Sequence, residues 1–252
     1  MIIDAHAHIS DTDYGSAALY QEQMDIAGIS GAVFVPGGMM DVRRMTDYVT
    51  GKRGPENIIP DNATVASAVA ANPAMLRGFA CVDPHEPEAA EELARLFAEG
   101  FRGLKLSPMS HQFSFGSNAV AELVQVCWQY RCPVYSHVVY SPGASTARFA
   151  QLARENPQVS FILGHMGFGP ADREAVEAAN ELPNLYLETS TGNLIHLQNA
   201  LDQLGPGKLI FGSEFPLSNP LVELAKIHML RIAGSGIDQI LGDNIRSLLQ
   251  WS

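Results

Sequence analysis

Cysteine and positive charge are both scarce in this chain. The three cysteines, Cys81, Cys127 and Cys132, form no Cys-x-x-Cys pair. This sparse and odd count fits a reducing cytosol better than a disulfide framework, so we expect a cytoplasmic protein. Lysine and arginine total 16 against 27 aspartates and glutamates, and no basic cluster exceeds two residues. Binding to a nucleic-acid backbone needs basic patches, so nucleic acid is not an expected partner.

Long apolar runs are missing as well. No apolar run approaches about 18 residues, and no basic segment precedes an apolar stretch near Met1, so we expect neither a membrane span nor a signal peptide. Hydrophobic residues make up 46% of the 252 residues and charged residues 17%, which is the composition of a globular protein with a large core. This length accommodates one large α/β barrel or two smaller domains.

Short apolar or β-branched runs alternate along the chain with stretches of helical period. The predicted strands are Ile2–His8, Gly31–Pro36, Leu76–Val82, Gly103–Ser107, Pro133–Val138, Val159–His165, Asn184–Glu188 and Lys208–Gly212. The predicted helices are Ser16–Ala27, Thr64–Ala71, Pro87–Glu99, Ala119–Arg131, Ser145–Glu155, Ala171–Glu181, Leu194–Leu204 and Leu221–Ala233. Eight alternations predict an α/β fold, a single-domain (β/α)8 TIM barrel over residues 1–252. A doubly wound open sheet is the rival, but no Gly-x-Gly-x-x-Gly turn follows the first strand.

Two segments lie outside this alternation. Residues Met39–Pro60 have an irregular pattern and exceed the length of an ordinary loop after a strand. This pattern predicts that the segment forms a loop or lid over the face that carries the active site. Residues Gly236–Leu249 predict a terminal helix that closes the bottom or the side of the barrel.

The first predicted strand carries two histidines one residue apart, His6 and His8. Successive side chains of a strand point to opposite faces, so these two imidazoles share a face. Two imidazoles directed at one small volume can hold a divalent metal ion. An affinity-tag remnant or a polar strand end is the plainer interpretation of this pair alone.

More polar residues end other predicted strands, where a parallel barrel has its active site. Each lies in an apolar context, and a single strand-end histidine is most often structural. Six such residues at one end of the barrel indicate a shared site instead: His6, His8, Lys105, His137, His165 and Glu214.

Several motifs together cover almost the whole chain. They are Asp4-Ala5-His6-Ala7-His8, Gly103-Leu104-Lys105-Leu106, His137, Gly164-His165-Met166-Gly167, Gly212-Ser213-Glu214-Phe215-Pro216 and Leu241-Gly242-Asp243-Asn244. With them the chain resembles the amidohydrolase superfamily, in particular its amidohydrolase-2 branch, which includes enzymes like aminocarboxymuconate-semialdehyde decarboxylase.

The resemblance implies one divalent metal ion, most commonly zinc, with manganese as an alternative. Its implied ligands are His6, His8, His137 and Glu214, and His165 is implied to stand beside a water molecule at the metal as a proton-transfer residue. Three nitrogens and one carboxylate with room for water describe a catalytic site. Most members of the branch carry Asp where this chain has Glu214, so the longer side chain ligates the metal or serves only as a base.

Lys105 and His111 are the expected substrate contacts. In binuclear members of the superfamily a carbamylated lysine at this place bridges two metals, whereas in the mononuclear branch a lysine would bind a substrate carboxylate or carbonyl. The sequence Gly-Leu-Lys-Leu followed by proline is typical of the second group, so one metal is favoured. His111 is expected on the loop after the fourth strand, at the substrate or on the surface.

The resulting hypothesis is a hydrolase that activates water against an amide, ester or lactone of a small, acidic molecule. A lyase on the same scaffold, either a decarboxylase or a hydratase, is the alternative, because both share the ligand set. A third hypothesis is a non-catalytic barrel whose metal site decayed at Glu214. The sequence leaves a homo-oligomer open.

Overall fold

The computed structural model describes residues 1–55, 58–169 and 171–251. The strands in these ranges are β1 Ile3–Ile9, β2 Gly31–Pro36, β3 Leu76–Gly78, β4 Ala80–Cys81, β5 Leu104–Leu106, β6 Val134–Ser136, β7 Phe161–Leu163, β8 Leu185–Glu188 and β9 Leu209–Ile210. The α-helices are α1 Ala17–Ala27, α2 Met45–Val49, α3 Asn62–Ala71, α4 Ala89–Glu99, α5 Pro108–His111, α6 Asn118–Tyr130, α7 Thr146–Glu155, α8 Arg173–Glu181, α9 Leu194–Leu204, α10 Pro220–His228, α11 Gly236–Asp238 and α12 Asn244–Leu248.

The strands are parallel and follow one another in chain order around a TIM barrel. Strands β1 to β3 form one parallel sheet, and strands β4 to β9 form a second. Phe79 separates β3 from β4, and its N–H donates to the carbonyl of Phe34 at 2.9 Å. At the other edge, Ala5 donates to the carbonyl of Phe211 at 2.9 Å and Ala7 pairs with Phe215. Backbone hydrogen bonds therefore join the two sheets, and the predicted fold class, an α/β TIM barrel, is confirmed.

Two layers of apolar side chains hold this arrangement together. One layer fills the barrel interior with Phe79 and with residues from several strands, among them Ile3, Val33, Ile162 and Ile210. The other lies between the strands and the surrounding helices. Alternate residues of a strand face opposite sides, so strands covered on both faces are apolar nearly throughout.

Polar residues at the helix starts determine where the chain leaves each loop. Side chains of Ser16, Asp61, Ser117, Ser145 and Asp172 accept hydrogen bonds from backbone N–H groups in the first turns of α1, α3, α6, α7 and α8. Such caps satisfy donors that have no partner within the helix. The predicted starts at Ser16 and Ser145 therefore coincide with caps.

Three sequence expectations need correction. The segment expected to be irregular contains a 3-10 turn, Val42–Arg44, followed by α2. Helix α10 ends at His228, well before Ala233. The predicted terminal helix is divided into α11, a π-helical turn Gln239–Asp243 and α12. Among the described residues no helix combines the length and apolar character that crossing a membrane requires.

Candidate metal centre

Four predicted ligands meet at the carboxyl ends of the strands. The ring centroids of His6 and His8 are 4.7 Å apart, and those of His6 and His137 are 4.9 Å apart. Glu214 lies between them, with Oε2 at 2.6 Å from His6 Nδ1 and 3.4 Å from His137 Nε2. Its Oε1 is 3.5 Å from His8 Nε2. Residues from β1 and from the loops after β6 and β9 thus converge on one small volume.

The spacing of these four side chains fits a metal ion. One ligand atom from each of His6, His8, His137 and Glu214 lies within 4.8 Å of all the others. Metal–ligand distances of about 2.0–2.2 Å give a coordination shell about 4 Å across, so small side-chain movements complete it. Glu214 Oε2 is buried and accepts no hydrogen bond of acceptable geometry from the described residues. A buried acceptor of this kind suits a cation.

The backbone bends sharply at Glu214. Its φ of +56° is in the left-handed region that residues other than glycine seldom adopt. Its N–H donates to the carbonyl of His6 at 2.9 Å, which connects this turn to β1. The turn directs the carboxylate toward the histidines. This conformation brings the longer glutamate side chain into the site.

Protonation in this cluster also suits a metal. Burial lowers the pKa of His6 and His137 well below the ordinary histidine value and that of His8 to about 4. Burial opposes ionisation of Glu214, but the histidines around it hold its pKa well below the usual range. Neutral imidazoles and a carboxylate are the forms that bind divalent metals.

A buried carboxylate fastens the strand that carries the histidine pair. Asp4 Oδ1 accepts from the N–H of His6 at 3.0 Å and from that of Ser213 at 2.9 Å. Its Oδ2 accepts from the hydroxyl of Tyr20 at 2.5 Å. Burial raises the pKa of Asp4 to about 7, against the effect of these hydrogen bonds. Asp4 therefore holds β1 in register with the turn that presents Glu214.

His165 stands at the edge of the cluster. Its ring stacks on His137 with centroids 4.3 Å apart and planes 11° apart. Nδ1 lies 3.0 Å from Ser190 Oγ and 2.9 Å from Thr191 Oγ1, so Nε2 points the other way. That nitrogen is 3.7 Å from Glu214 Oε2. His165 is thus beside the four-residue group, as expected.

Lys105 and His111 occupy buried positions. Lys105 Nζ is 3.2 Å from His6 Nε2 and 3.2 Å from His137 Nδ1, and burial lowers its pKa to about 8. His111 ends α5, where Nε2 is 2.7 Å from the carbonyl of Ile58. Neither belongs to the lining of the adjoining cavity. Their contacts with substrate therefore stay predictions.

Sequence reasoning missed Glu188 and Tyr135. Glu188 ends β8 and is fully buried, and it accepts hydrogen bonds from the hydroxyls of Tyr135 and Ser190, both at 2.8 Å. Burial raises its pKa, although His165 and hydrogen bonds from Ser190 and Tyr135 oppose the shift. The strand-end rule that selected His137 applies equally to Glu188. No local pattern marks Tyr135, an interior strand residue.

A cavity of about 440 Å³ opens beside the cluster. It is lined from the loops after the strands, with His8, His137, His165 and Glu214 on its inner wall. The segment predicted as a lid supplies much of the apolar wall through Met39, Met40, Val42, Met45 and Val49. This location agrees with the expected position of the lid over the active-site face.

A TIM barrel with this cluster at its strand ends defines a class of metal-dependent enzymes. The amidohydrolase model of the amidohydrolase-2 type matches residues 3–251, so the chain belongs to this amidohydrolase family. No curated protein matches the sequence.

Solved structures share the fold. An uncharacterized TIM-barrel protein from Bordetella bronchiseptica has 18% identity and a TM-score of 0.80, with 99% of this chain and 98% of that chain covered. A dihydroxybenzoic acid decarboxylase from Polaromonas with bound manganese and the inhibitor 2-nitroresorcinol has 19% identity and a TM-score of 0.71, covering 99% and 96%. A probable 2-pyrone-4,6-dicarboxylic acid hydrolase from Acinetobacter baumannii with citric acid bound has 16% identity and a TM-score of 0.73, covering 99% of both chains.

Proposed function

We propose that the chain is a metal-dependent hydrolase acting on an amide, ester or lactone bond of a small, acidic molecule. The observation that carries this proposal is the group of His6, His8, His137 and Glu214 at the inner wall of a cavity. Membership of the amidohydrolase family supports a metal-dependent enzyme. Zinc suits the three nitrogens and one carboxylate, and the manganese in the Polaromonas relative supports that ion as the alternative.

The four residues would hold the ion, which when bound polarises a substrate oxygen and lowers the pKa of a water molecule. His165 supplies the proton transfer that hydrolysis requires. Its Nδ1 faces oxygens of Ser190 and Thr191, so Nε2 faces the cavity side, 3.7 Å from Glu214 Oε2. From this place Nε2 accepts a proton from the attacking water and returns it to the leaving group.

A decarboxylase is the second candidate, because of the apolar wall of the cavity. Met39, Met40, Val42 and Met45 line the same cavity as the histidines. Such a wall suits a flat, apolar ring with one acidic group, and the Polaromonas relative is a decarboxylase. In this reaction His165 Nε2 would deliver a proton to carbon as carbon dioxide leaves.

The first experiment measures metal content by elemental analysis. We expect one equivalent in the purified chain after supplementation and its loss in the double variant His6→Ala, His8→Ala, with an unchanged circular-dichroism spectrum. His228→Ala, on the exposed side of α10, is the matched control and should retain the metal. Two equivalents would favour a bridging, carbamylated Lys105, and none would contradict both enzyme proposals.

The second experiment separates hydrolase from decarboxylase. The metal-loaded chain is incubated with panels of small carboxylic acids that carry an ester, lactone or amide, and with aromatic acids. Release of a new carboxylic acid with its alcohol or amine, without carbon dioxide, supports the hydrolase, whereas carbon dioxide release contradicts it and supports the decarboxylase. His165→Asn should retain the metal and lose turnover in either case.

A further inference from the structure

We propose that Glu188 is a positioning residue that fixes the tautomer of His6 through the hydroxyl group of Tyr135. Its importance for metal binding rests on the function proposed above, but the hydrogen-bond pattern does not. Glu188 ends β8, a strand that carries none of the four predicted ligands. It is not part of the cavity lining, and its Oε2 accepts from the N–H of His165, a lining residue, at 3.3 Å.

The direction of each hydrogen bond follows from its donor. The hydroxyl of Tyr135 donates to Glu188 Oε2 at 2.8 Å, because a carboxylate can only accept. A phenol has a single proton, so Tyr135 Oη must accept from His6 Nδ1, which is 2.8 Å away. The direct distance from His6 Nδ1 to Glu188 Oε2 is 3.8 Å, too long for a hydrogen bond. The proton of His6 therefore resides on Nδ1.

The other ring nitrogen of His6 has the complementary environment. Nε2 lies 3.2 Å from Lys105 Nζ, which only donates when it is an ammonium group. A donor at this position matches a bare lone pair on Nε2. Donation thus runs in one direction, from Lys105 to His6, then to Tyr135 and finally to Glu188.

Glu214 is the competing partner for His6 Nδ1. Its Oε2 lies 2.6 Å from that nitrogen, yet within the described residues it receives no hydrogen bond of acceptable geometry. The hydroxyl of Tyr135 is the partner that meets the geometric requirement. When Tyr135 determines the tautomer of His6, the Glu214 carboxylate is not needed as the partner of His6 Nδ1 and can bind a cation.

Two further contacts explain why this residue is a glutamate. Glu188 Oε1 accepts from the N–H of Ser190 at 2.6 Å, and Oε2 also accepts from Ser190 Oγ at 2.8 Å. Oε1 faces a backbone N–H, which only donates, so a glutamine amide must place its NH2 at the Oε2 position, where it would donate to the hydroxyls of Tyr135 and Ser190 and meet the N–H of His165. The side chain has little room to adjust, because a Cβ added at Gly212 would collide with it.

The consequence concerns metal affinity. A neutral imidazole binds a metal through the nitrogen that carries no proton, and the partner of the other nitrogen determines which one that is. With Nδ1 protonated, His6 offers Nε2, and an ion bound there would displace Lys105 Nζ from that nitrogen. Loss of such a supporting partner lowers metal affinity by about 10–100-fold in other metal sites.

The test uses the full, metal-free chain labelled with 15N-histidine. Imidazole 15N–1H correlation spectra at pH 8 report the tautomer of each histidine, and competition with a chelator reports zinc affinity. We expect wild-type His6 to hold its proton on Nδ1. In both Tyr135→Phe and Glu188→Gln, we expect a substantial shift to the Nε2-protonated form and about 10–100-fold weaker zinc binding.

The chain offers two controls. Tyr186→Phe removes a hydroxyl from β8 outside the cluster and should change neither readout. His85 is the internal reference, because its Nε2 lies 2.9 Å from the carbonyl of His111 and that carbonyl remains in every variant. Its unchanged signal, with an unchanged circular-dichroism spectrum, shows that a variant is folded.

An unchanged His6 tautomer in a folded Tyr135→Phe or Glu188→Gln variant would overturn the proposal and assign the role to Glu214. If one variant does not fold, the other decides. A wild-type chain that binds no zinc would contradict the proposed metal-dependent function, whereas the spectra would still decide the tautomer.

Discussion

The hydroxyl of Tyr20 offers a test of how firmly the histidine strand is held in place. Tyr20 is fully buried on α1, and its hydroxyl donates to Asp4 Oδ2 at 2.5 Å. Its ring packs against Phe34 and Phe215, with centroid distances of 5.2 and 5.1 Å. Tyr20→Phe keeps this packing and removes only the hydrogen bond, so Asp4 loses one of its three donors.

The expected cost follows from the burial of Asp4. A buried acceptor that loses its partner destabilises a protein by about 1–3 kcal/mol. Taking about 2 kcal/mol, and a shift of about 2–4 °C per kcal/mol for a chain of this size, the melting temperature should fall by about 4–8 °C. Differential scanning calorimetry measures this change on the metal-free chain.

The control is Tyr140→Phe, since Tyr140 is 92% exposed. A surface change of this kind should alter stability by less than about 0.5 kcal/mol. A fall below about 1 °C in Tyr20→Phe, equal to the control, would refute the reasoning. It would show that the hydroxyl does not stabilise Asp4 and that packing and the remaining hydrogen bonds hold β1 beside the Glu214 turn.

Three further predictions concern local structure. Asp61→Ala should lower the free energy of unfolding in urea by about 1 kcal/mol, with Asp61→Asn close to wild type. Hydrogen bonds from the side chain and N–H of Thr64 lower the pKa of Asp61. The stabilisation by Asp61 is therefore full above the ordinary aspartate pKa and is lost as the pH falls. A destabilisation by Asp61→Ala that did not depend on pH would contradict this prediction. Gly103→Ala should lower the free energy of unfolding by about 1–3 kcal/mol in calorimetry, because the added Cβ would lie 2.5 Å from the Phe79 ring. The control is Gly207→Ala, whose added Cβ meets nothing within 4 Å. Equal stability of the two variants would count against this prediction. Burial raises the pKa of Cys81 to about 12 and that of Cys132 to about 11, so the native chain should not react with iodoacetamide at pH 8 and the denatured chain should modify all three cysteines; native labelling seen by mass spectrometry would be the contrary result.

Much of the fold could be predicted because strand and helix periods are local properties. Apolar runs such as Gly31–Pro36 are buried throughout, and β2 has the same bounds. The interruption at Phe79 could not be predicted, because it arises where two neighbouring strands pair differently on either side of one residue. The π-helical turn near the end likewise depends on packing against other parts of the chain.

The site was predicted in composition but not in arrangement. The strand-end rule selected His6, His8, His137 and Glu214, which the structure brings together. The same rule applies to Glu188, yet nothing in its local sequence indicates that a tyrosine from another strand reaches it. His111 was expected at the substrate or on the surface. In the structure its ring nitrogen contacts the carbonyl of Ile58, a residue that no local sequence pattern connects with it.

The sequence by itself determined which residue types are available and which strand ends carry them, because side-chain alternation and the parallel barrel are properties of pattern. Only the tertiary structure decided how these groups face one another. The left-handed turn at Glu214, the burial that keeps the histidines neutral, and the hydroxyl between His6 and Glu188 all arise from contacts between distant segments. Distances of a few tenths of an ångström determine which groups form hydrogen bonds, and only the packed barrel fixes them.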